Sequence, residues 1–482
     1  FLSVHRHGHL KTLSNQYNSD TAANRHVCLQ RIQAMTHSSA RTTSRLSSYC
    51  DGLNRREMLS VGSLGGLGLA ELLWMQESFA KAKGKPVRDI NCIFLFALGG
   101  QPHQDMWDVK PDAPSEIRGD FNPISTKASG IQISDVLPRI STITDKLAIM
   151  RSVTHVDSDH GRGYHVMMTG KRPGAGDFNG NQNNNHHPCL GSMVSRLGTP
   201  GELPPYISVP NFLNSGGPSF LGPSYGPFVI EADPAAPDFS VRDITLPTAI
   251  STNRNARRQA VLREINRFER QAETVGRSVR SLDTFYQKAA GLMTSKKAKE
   301  AFDIHRESDK TRAEYGMTSV GQCCLLSRRL VEAGCRFVAI ENGHWDTHRK
   351  NTYSLKDLLC PSFDRAVPAL LNDLEQRGML DDTLVVISTE FGRTPQINQL
   401  AGRDHWPNDF SIAMAGGGVK GGQVIGASDR RAAGVADRPI TPGDMTATVL
   451  DLMGIDPRQI LHTPLGRPIP LVDDGRPITE LT

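Results

Sequence analysis

The sequence predicts an α/β fold: a doubly wound, mainly parallel sheet flanked by helices. Three observations predict it. Short apolar runs recur at 90–98, 147–150, 206–209, 336–340, 383–389 and 410–414. Helix-period segments lie between several of them, as expected where helices cross between parallel strands. Histidines and carboxylates gather just after the runs, where open α/β sheets bind ligands.

The first run, INCIFLFAL at 90–98, is almost continuously apolar and stops at Gly99-Gly100. Such a strand belongs at the centre of a parallel sheet, covered on both faces. Leu147, Ala148, Ile149 and Met150 form a second candidate. Tyr206 to Val209 form a third, closed by Pro210. Gly334 ends a helix just before the strand at 336–340. TLVVIST at 383–389 is the clearest strand, and 410–414 is the next. Between them, residues 362–377 put Phe363, Val367, Leu370, Leu371 and Leu374 on one helical face. Gly378 is a natural residue to follow that helix, and the segment 443–453 ends the same way at Gly454. Residues 255–315 are highly charged, with Val261, Leu262, Ile265 and Phe268 on one face. They predict a helical insertion packed against the sheet. Residues 171–237 are rich in Gly, Asn and Pro and predict a long loop region over one end of the domain.

The chain has 482 residues, 38% hydrophobic and 22% charged, which suits a globular protein. The formal charge is +5, but residues 1–80 carry eight Lys/Arg against five Asp/Glu. The remainder is near neutral and has no electrostatic footprint for nucleic acid. The eight cysteines show neither a CxxC pair nor zinc-finger spacing. One or two bridges remain open if the protein reaches an oxidising compartment.

Residues 1–50 are rich in Ser, Thr, Asn and His and are expected to be a disordered leader or extension. A mitochondrial presequence, also basic and Ser-rich, is the alternative. Residues 51–85 are expected to be a twin-arginine signal segment. Arg55-Arg56 precedes Met58-Leu59, a short Gly-rich apolar stretch follows at 61–70, and Ser78-Phe79-Ala80 offers a small-x-small cleavage site. An amphipathic helix at a domain edge is the plainer reading. The signal would place the protein in the periplasm or outside the cell, or at the membrane if uncleaved. Its partner would be the twin-arginine export machinery. Residues 86–482 form the α/β domain.

The segments after the predicted strands carry the chemistry. His103 and Asp105 follow the first run, and His344, Asp346 and His348 follow the run at 336–340. Glu390 and Arg393 follow the run at 383–389, and His405 lies in the next loop. His155, His160 and His165 lie in a fifth segment. Mixed His and carboxylate ligands suit zinc, manganese or iron. Two metals about 4 Å apart would suit phosphate- or sulfate-ester hydrolysis, and Arg393 could bind the substrate anion. Any one of these residues alone is more often a cap or hydrogen-bonding group than a ligand. His186-His187 read as loop residues.

The motifs GGQPHQDMWDVKPDAP at 99–114, HGRGYHVMMTG at 160–170, WDTH at 345–348, EFGRTP at 390–395 and GRDHWP at 402–407, with Arg55-Arg56, carry a family resemblance. The sequence resembles the sulfatase-like "domain of unknown function 1501" family of exported bacterial proteins, common in planctomycetes. That family resembles the alkaline phosphatase superfamily. The resemblance implies a divalent metal site (zinc, manganese, iron or calcium) of two ions. Asp346, His348 and His405 fall at the positions of one metal. Glu390, with His103 or Asp105, falls at the second. Counting back from Thr169-Gly170 puts His160 where the superfamily has its nucleophile.

Two functional readings follow. One is an exported metal-dependent hydrolase of sulfate or phosphate esters, with an anionic ester or sulfated glycan as substrate. The other is a non-catalytic metal- or glycan-binding protein of the cell envelope.

Overall fold

A computed structural model describes residues 89–174, 186–199, 201–241 and 295–482. Its centre is strand β1 (Asn91–Ala97), whose side chains are buried on both faces except at Asn91. The other strands of the central sheet and of the site are β2 (Leu147–Val153), β3 (Tyr206–Val209), β4 (Phe228–Val229), β5 (Phe337–Asn342), β6 (Thr383–Ser388), β7 (Gly392–Arg393), β8 (His405–Trp406), β9 (Phe410–Ala415) and β10 (Gln423–Ile425). All but β7 and β8 join one eight-stranded sheet in the order β10-β2-β9-β6-β1-β5-β3-β4.

The sheet is mainly parallel, as expected. β1 runs parallel to β5 and β6, β5 to β3, β3 to β4, and β2 to β10. β9 alone is antiparallel to its neighbours β6 and β2. The reason lies in the connection. Parallel neighbours need a crossover, usually a helix. The segment between β6 and β9 instead holds the antiparallel hairpin β7–β8 and no helix.

Helices cover both faces. α4 (Ser319–Glu332) and α5 (Cys360–Gln376) pack on the face carrying Ile93 and Leu95. Phe363, Val367, Leu370, Leu371 and Leu374 of α5 all lie in that core, as their spacing predicts. Burying each such side chain stabilises the fold by about 1.5–3 kcal/mol. α2 (His160–Thr169), α3 (Leu190–Leu197) and α6 (Pro442–Leu452) pack on the face carrying Phe94 and Phe96. A short helix, α1 (His103–Met106), follows β1.

One expectation is corrected. Besides the expected strand β3, the stretch 171–237 contains α3 and β4 and so is not otherwise all loop. α3 sits so close to β3 that a Cβ on Gly191 would stand 2.7 Å from the Tyr206 ring. The glycine that weakened the helical signal is what permits the packing.

Of the insertion at 255–315, residues 255–294 lie outside the described residues. Lys296–Phe302 and Asp309–Tyr315 are helices. The leader and the signal segment also lie outside. All six described cysteines are buried and unbridged. Among the described residues no helix is long and apolar enough to cross a membrane.

Candidate metal centre

The carboxyl ends of β1, β5 and β6 meet at one point. β1 runs into Gly99, whose φ is 121°, a value that disfavours any side chain. A Cβ there would stand 2.4 Å from the Asp346 amide nitrogen. The glycine therefore lets the loop after β5 lie directly on the end of β1, which brings Asp346 over the centre of the sheet. β6 delivers Glu390. After β2, Asp159 caps α2 by accepting a hydrogen bond from the Arg162 amide at 3.2 Å. His160 is thereby fixed as the first residue of α2. The β7–β8 hairpin sets His405 opposite Arg393.

Three imidazoles converge on Asp346. His160 Nε2 lies 3.3 Å from Asp346 Oδ2. His348 Nε2 and His405 Nε2 lie 3.1 and 3.2 Å from Asp346 Oδ1. The last two nitrogens are 3.0 Å apart. Two donors on one tetrahedral zinc, each at about 2.0–2.1 Å, stand roughly 3.3 Å apart, and donor atoms of His160, Asp346 and His405 all lie within 4.8 Å of one another, close enough to share an ion, with His348 adjoining them through Asp346 and His405.

The other ring nitrogens are all tied back to acceptors. His160 Nδ1 is 2.7 Å from Glu390 Oε1, His348 Nδ1 is 2.5 Å from Asp404 Oδ1, and His405 Nδ1 is 2.8 Å from the Ser158 carbonyl. Carboxylates and carbonyls only accept, so each Nδ1 carries the proton. The neutral rings then turn bare Nε2 lone pairs toward one another and toward a carboxylate. Such a cluster needs protons or a cation in its middle. A ligating histidine usually donates its second nitrogen to an outer carboxylate or carbonyl in this way.

The electrostatics agree. Burial alone would raise the Asp346 pKa, but His160, His405 and Arg393 outweigh it and hold the carboxyl far below its usual range. Burial opposes charging of His160. The Asp346 and Glu390 carboxylates prevail and raise its pKa to about 9. The hydrogen bond from His348 keeps Asp404 below the usual carboxylate range. The Asp346 and His348 side chains are 45% and 39% exposed, so the centre opens to solvent on one side.

The remaining candidates sit elsewhere or act differently. Glu390 is fully buried. Its Oε1 accepts from the Gly99 amide at 2.7 Å as well as from His160, and its Oε2 accepts from the Thr389 hydroxyl at 3.2 Å. It holds His160 rather than facing the opening. Asp105 is buried and grips Arg403 through both oxygens, at 2.7 and 2.8 Å, while Asn351 donates to it at 2.7 Å. His103 is buried against Asp409 at 3.3 Å. Arg393 is also buried. It donates to the Gly100 and Arg403 carbonyls at 3.1 and 3.0 Å and also to Gly99 and Asp346. Its guanidinium is committed to building the centre. Glu390, His103 and Asp105 therefore do not come together as a second set of metal donors.

Sequence reasoning missed Asp404 and the Ser158 carbonyl as outer partners. Asp404 stands next to His405 in the sequence, and adjacency of that kind was the available signal. A backbone carbonyl leaves no trace in residue type.

Residues 89–482 match the model of a protein family described as a protein of unknown function, DUF1501. The chain belongs to the DUF1501 family. No curated protein matches it. Solved structures similar to it include the lipoteichoic acid synthase LtaP from Listeria monocytogenes, at 10% identity and a TM-score of 0.35, covering 80% of this chain and 76% of that one. Another is the phosphonate monoester hydrolase SpPMH from Silicibacter pomeroyi, at 13% identity and 0.36, with 81% and 76% covered. A third is the PsFucS1 sulfatase from Pseudoalteromonas sp., at 15% identity and 0.32, with 79% and 70% covered.

Proposed function

We propose that this DUF1501 protein is an exported hydrolase of sulfate or phosphate esters that works with one bound divalent metal. The observation that carries the reading is the convergence of three Nε2 atoms on Asp346, each ring locked by an acceptor behind it. Asp346, His348, His405 and His160 are the ligands in this reading. Glu390, Asp404 and the Ser158 carbonyl fix the ring orientations, and Arg393 holds Asp346. Three imidazoles and one carboxylate suit zinc, iron or manganese, whereas calcium prefers oxygen.

A metal in that set supplies a Lewis acid for an ester oxygen and activates a water for attack. The chain's own residues set its surroundings. The Asp346 carboxylate stays ionised, the imidazoles stay in one tautomer, and buried Arg393 offsets the negative charge beneath them. Both His160 nitrogens are engaged, so His160 is better read as a ligand than as a nucleophile.

That last point also favours the second reading, a non-catalytic metal- or glycan-binding protein. The hydroxyl of Thr389, next to Glu390 in the sequence, is itself bonded to the Ala97 carbonyl at 2.8 Å. A panel of p-nitrophenyl sulfate, phosphate monoester, phosphate diester and phosphonate ester separates the two. Metal-loaded wild type should turn over at least one of them, and Asp346→Ala should lose that turnover. A wild type that binds metal yet hydrolyses none supports the binding protein.

A further inference from the structure

The leaving oxygen of an ester needs a partner of its own. Two-metal sites clamp the attacking and the leaving oxygen between two ions. Among the described residues the donors of one centre alone come together. The leaving oxygen then has no second ion and must take a proton as it departs. Arg393 is buried and committed to the centre, and both nitrogens of His160 are engaged.

Glu341 lies near the carboxyl end of β5. Phe337 and Ala339 of this strand enter the core beneath α2, and Val338 and Ile340 enter the opposite one. Alternation therefore turns Glu341 to the α2 face. It is paired with Phe96 of β1, whose ring lies 6.0 Å from that of Tyr164. Tyr164 in turn stacks at 5.6 Å on His160, one helical turn earlier. Gly99, on which the loop with Asp346 lies, is three residues beyond Phe96. At about 3.3 Å per residue, the backbone positions of Glu341 and Asp346 are thus offset by roughly 10 Å. A Cβ built on Gly343 would stand 3.9 Å from Glu341 Oε1 and, chain neighbours aside, within 4 Å of no other described atom. The carboxyl therefore leans forward, toward the loop that carries Asp346, into open space. Between the two acids His344 holds a φ of 76°, a strained conformation of a kind that collects at functional sites.

The surroundings suit a proton donor. Burial raises the Glu341 pKa, and a hydrogen bond from the Asn211 side chain and the His344 imidazole oppose this without reversing it. Tyr164 and Cys323, which also feel its charge, are buried and hold their protons. Asp346, in contrast, is held far below the usual carboxylate range. Two neighbouring carboxyl groups pushed in opposite directions form the pattern of an acid beside a permanently charged partner.

We propose that Glu341 is the general acid of this site and protonates the leaving oxygen; the role rests on the hydrolase reading above. As the bond from sulfur or phosphorus to that oxygen breaks, its electron pair stays on the oxygen and the Glu341 proton joins it. The group leaves as a neutral alcohol or phenol. Water supplies the replacing oxygen, and the proton it gives up restores the carboxylic acid.

Matched phenyl and 4-nitrophenyl esters of sulfate, phosphate and phosphonate test the role, because phenol needs the proton far more than 4-nitrophenol does. Glu341→Gln should cut phenyl-ester turnover about 100-fold or more, and 4-nitrophenyl turnover about tenfold less severely than that. Glu341→Asp, which keeps an acid in place, should lose less phenyl-ester turnover than Glu341→Gln. Retained metal content shows that each variant is folded. Equal losses on both esters, no loss, or the same split in His344→Gln instead would overturn the proposal and leave the hydrolase reading. A wild type that hydrolyses no ester removes both. A readout without turnover is carbon-13 carboxyl NMR of the metal-free protein labelled at glutamate. The signal missing from either variant should titrate above the ordinary glutamate range, and titration within that range would also overturn the role.

Discussion

Glu390 shows how much of the centre depends on residues outside the ligand set. Its carboxylate is fully buried, takes the Gly99 amide, and fixes the tautomer of His160. Glu390→Gln keeps the shape but can offer His160 only a neutral acceptor. Metal affinity should fall about 10–100-fold, read by competition with a chromophoric chelator, while the far-ultraviolet circular dichroism stays unchanged. Asp404→Asn should act in the same direction through His348. A second prediction concerns protons in the metal-free protein. His160 has a pKa of about 9 there against an ordinary value of 6.5. Because the folded imidazolium has the higher pKa, its stabilising contribution is fully present below pH 6.5 and is lost as pH rises through about 9. Urea midpoints of the chelator-treated protein should therefore fall over that window, and the fall should vanish in His160→Gln. A midpoint that does not change with pH there would contradict the assignment.

At the scale of elements, the sheet reads clearly from the sequence where burial is two-sided. β1 and β6 are near-continuous apolar runs because helices cover both faces, and their limits fall within a residue or two of the expected ones. α5 is legible for the same reason, since one stripe alone faces the core. Its Leu370 is fully buried there, so Leu370→Ala should cost about 2–5 kcal/mol of stability, measurable by chemical denaturation. A cost under about 0.5 kcal/mol, the range of surface positions, would refute the assigned packing. Two features were not legible. Strand polarity is not written in β9 itself. It is set by a connection that spends its length on the β7–β8 hairpin rather than on a crossover helix. α3 was hidden because its Gly191 and its Gly- and Pro-rich surroundings look like loop, whereas the glycine serves the contact with Tyr206. The site was legible as a list of His and carboxylate residues after strands. Their division into ligands, outer partners and buried ion pairs was not, since His103, Asp105 and Glu390 differ from Asp346 only in what they touch.

For the molecule as a whole, the near-neutral remainder beyond residue 80 and the Arg55-Arg56 motif bear on location rather than on chemistry. Expressed in a bacterium with a twin-arginine system, the full chain should appear in the periplasmic or membrane fraction. Arg55→Lys with Arg56→Lys should retain it in the cytoplasm. Identical fractionation of both proteins would remove the export proposal without touching the metal centre. The central claim is that Asp346, His348, His405 and His160 hold one metal, and that the resemblance-derived second site is not built. Its most direct test is the metal-to-protein ratio of the wild-type chain after loading with zinc, manganese or iron and desalting, measured by inductively coupled plasma mass spectrometry. The account predicts one ion per chain, lost in Asp346→Ala. Two ions per chain, or no retained metal under any loading condition, would contradict it.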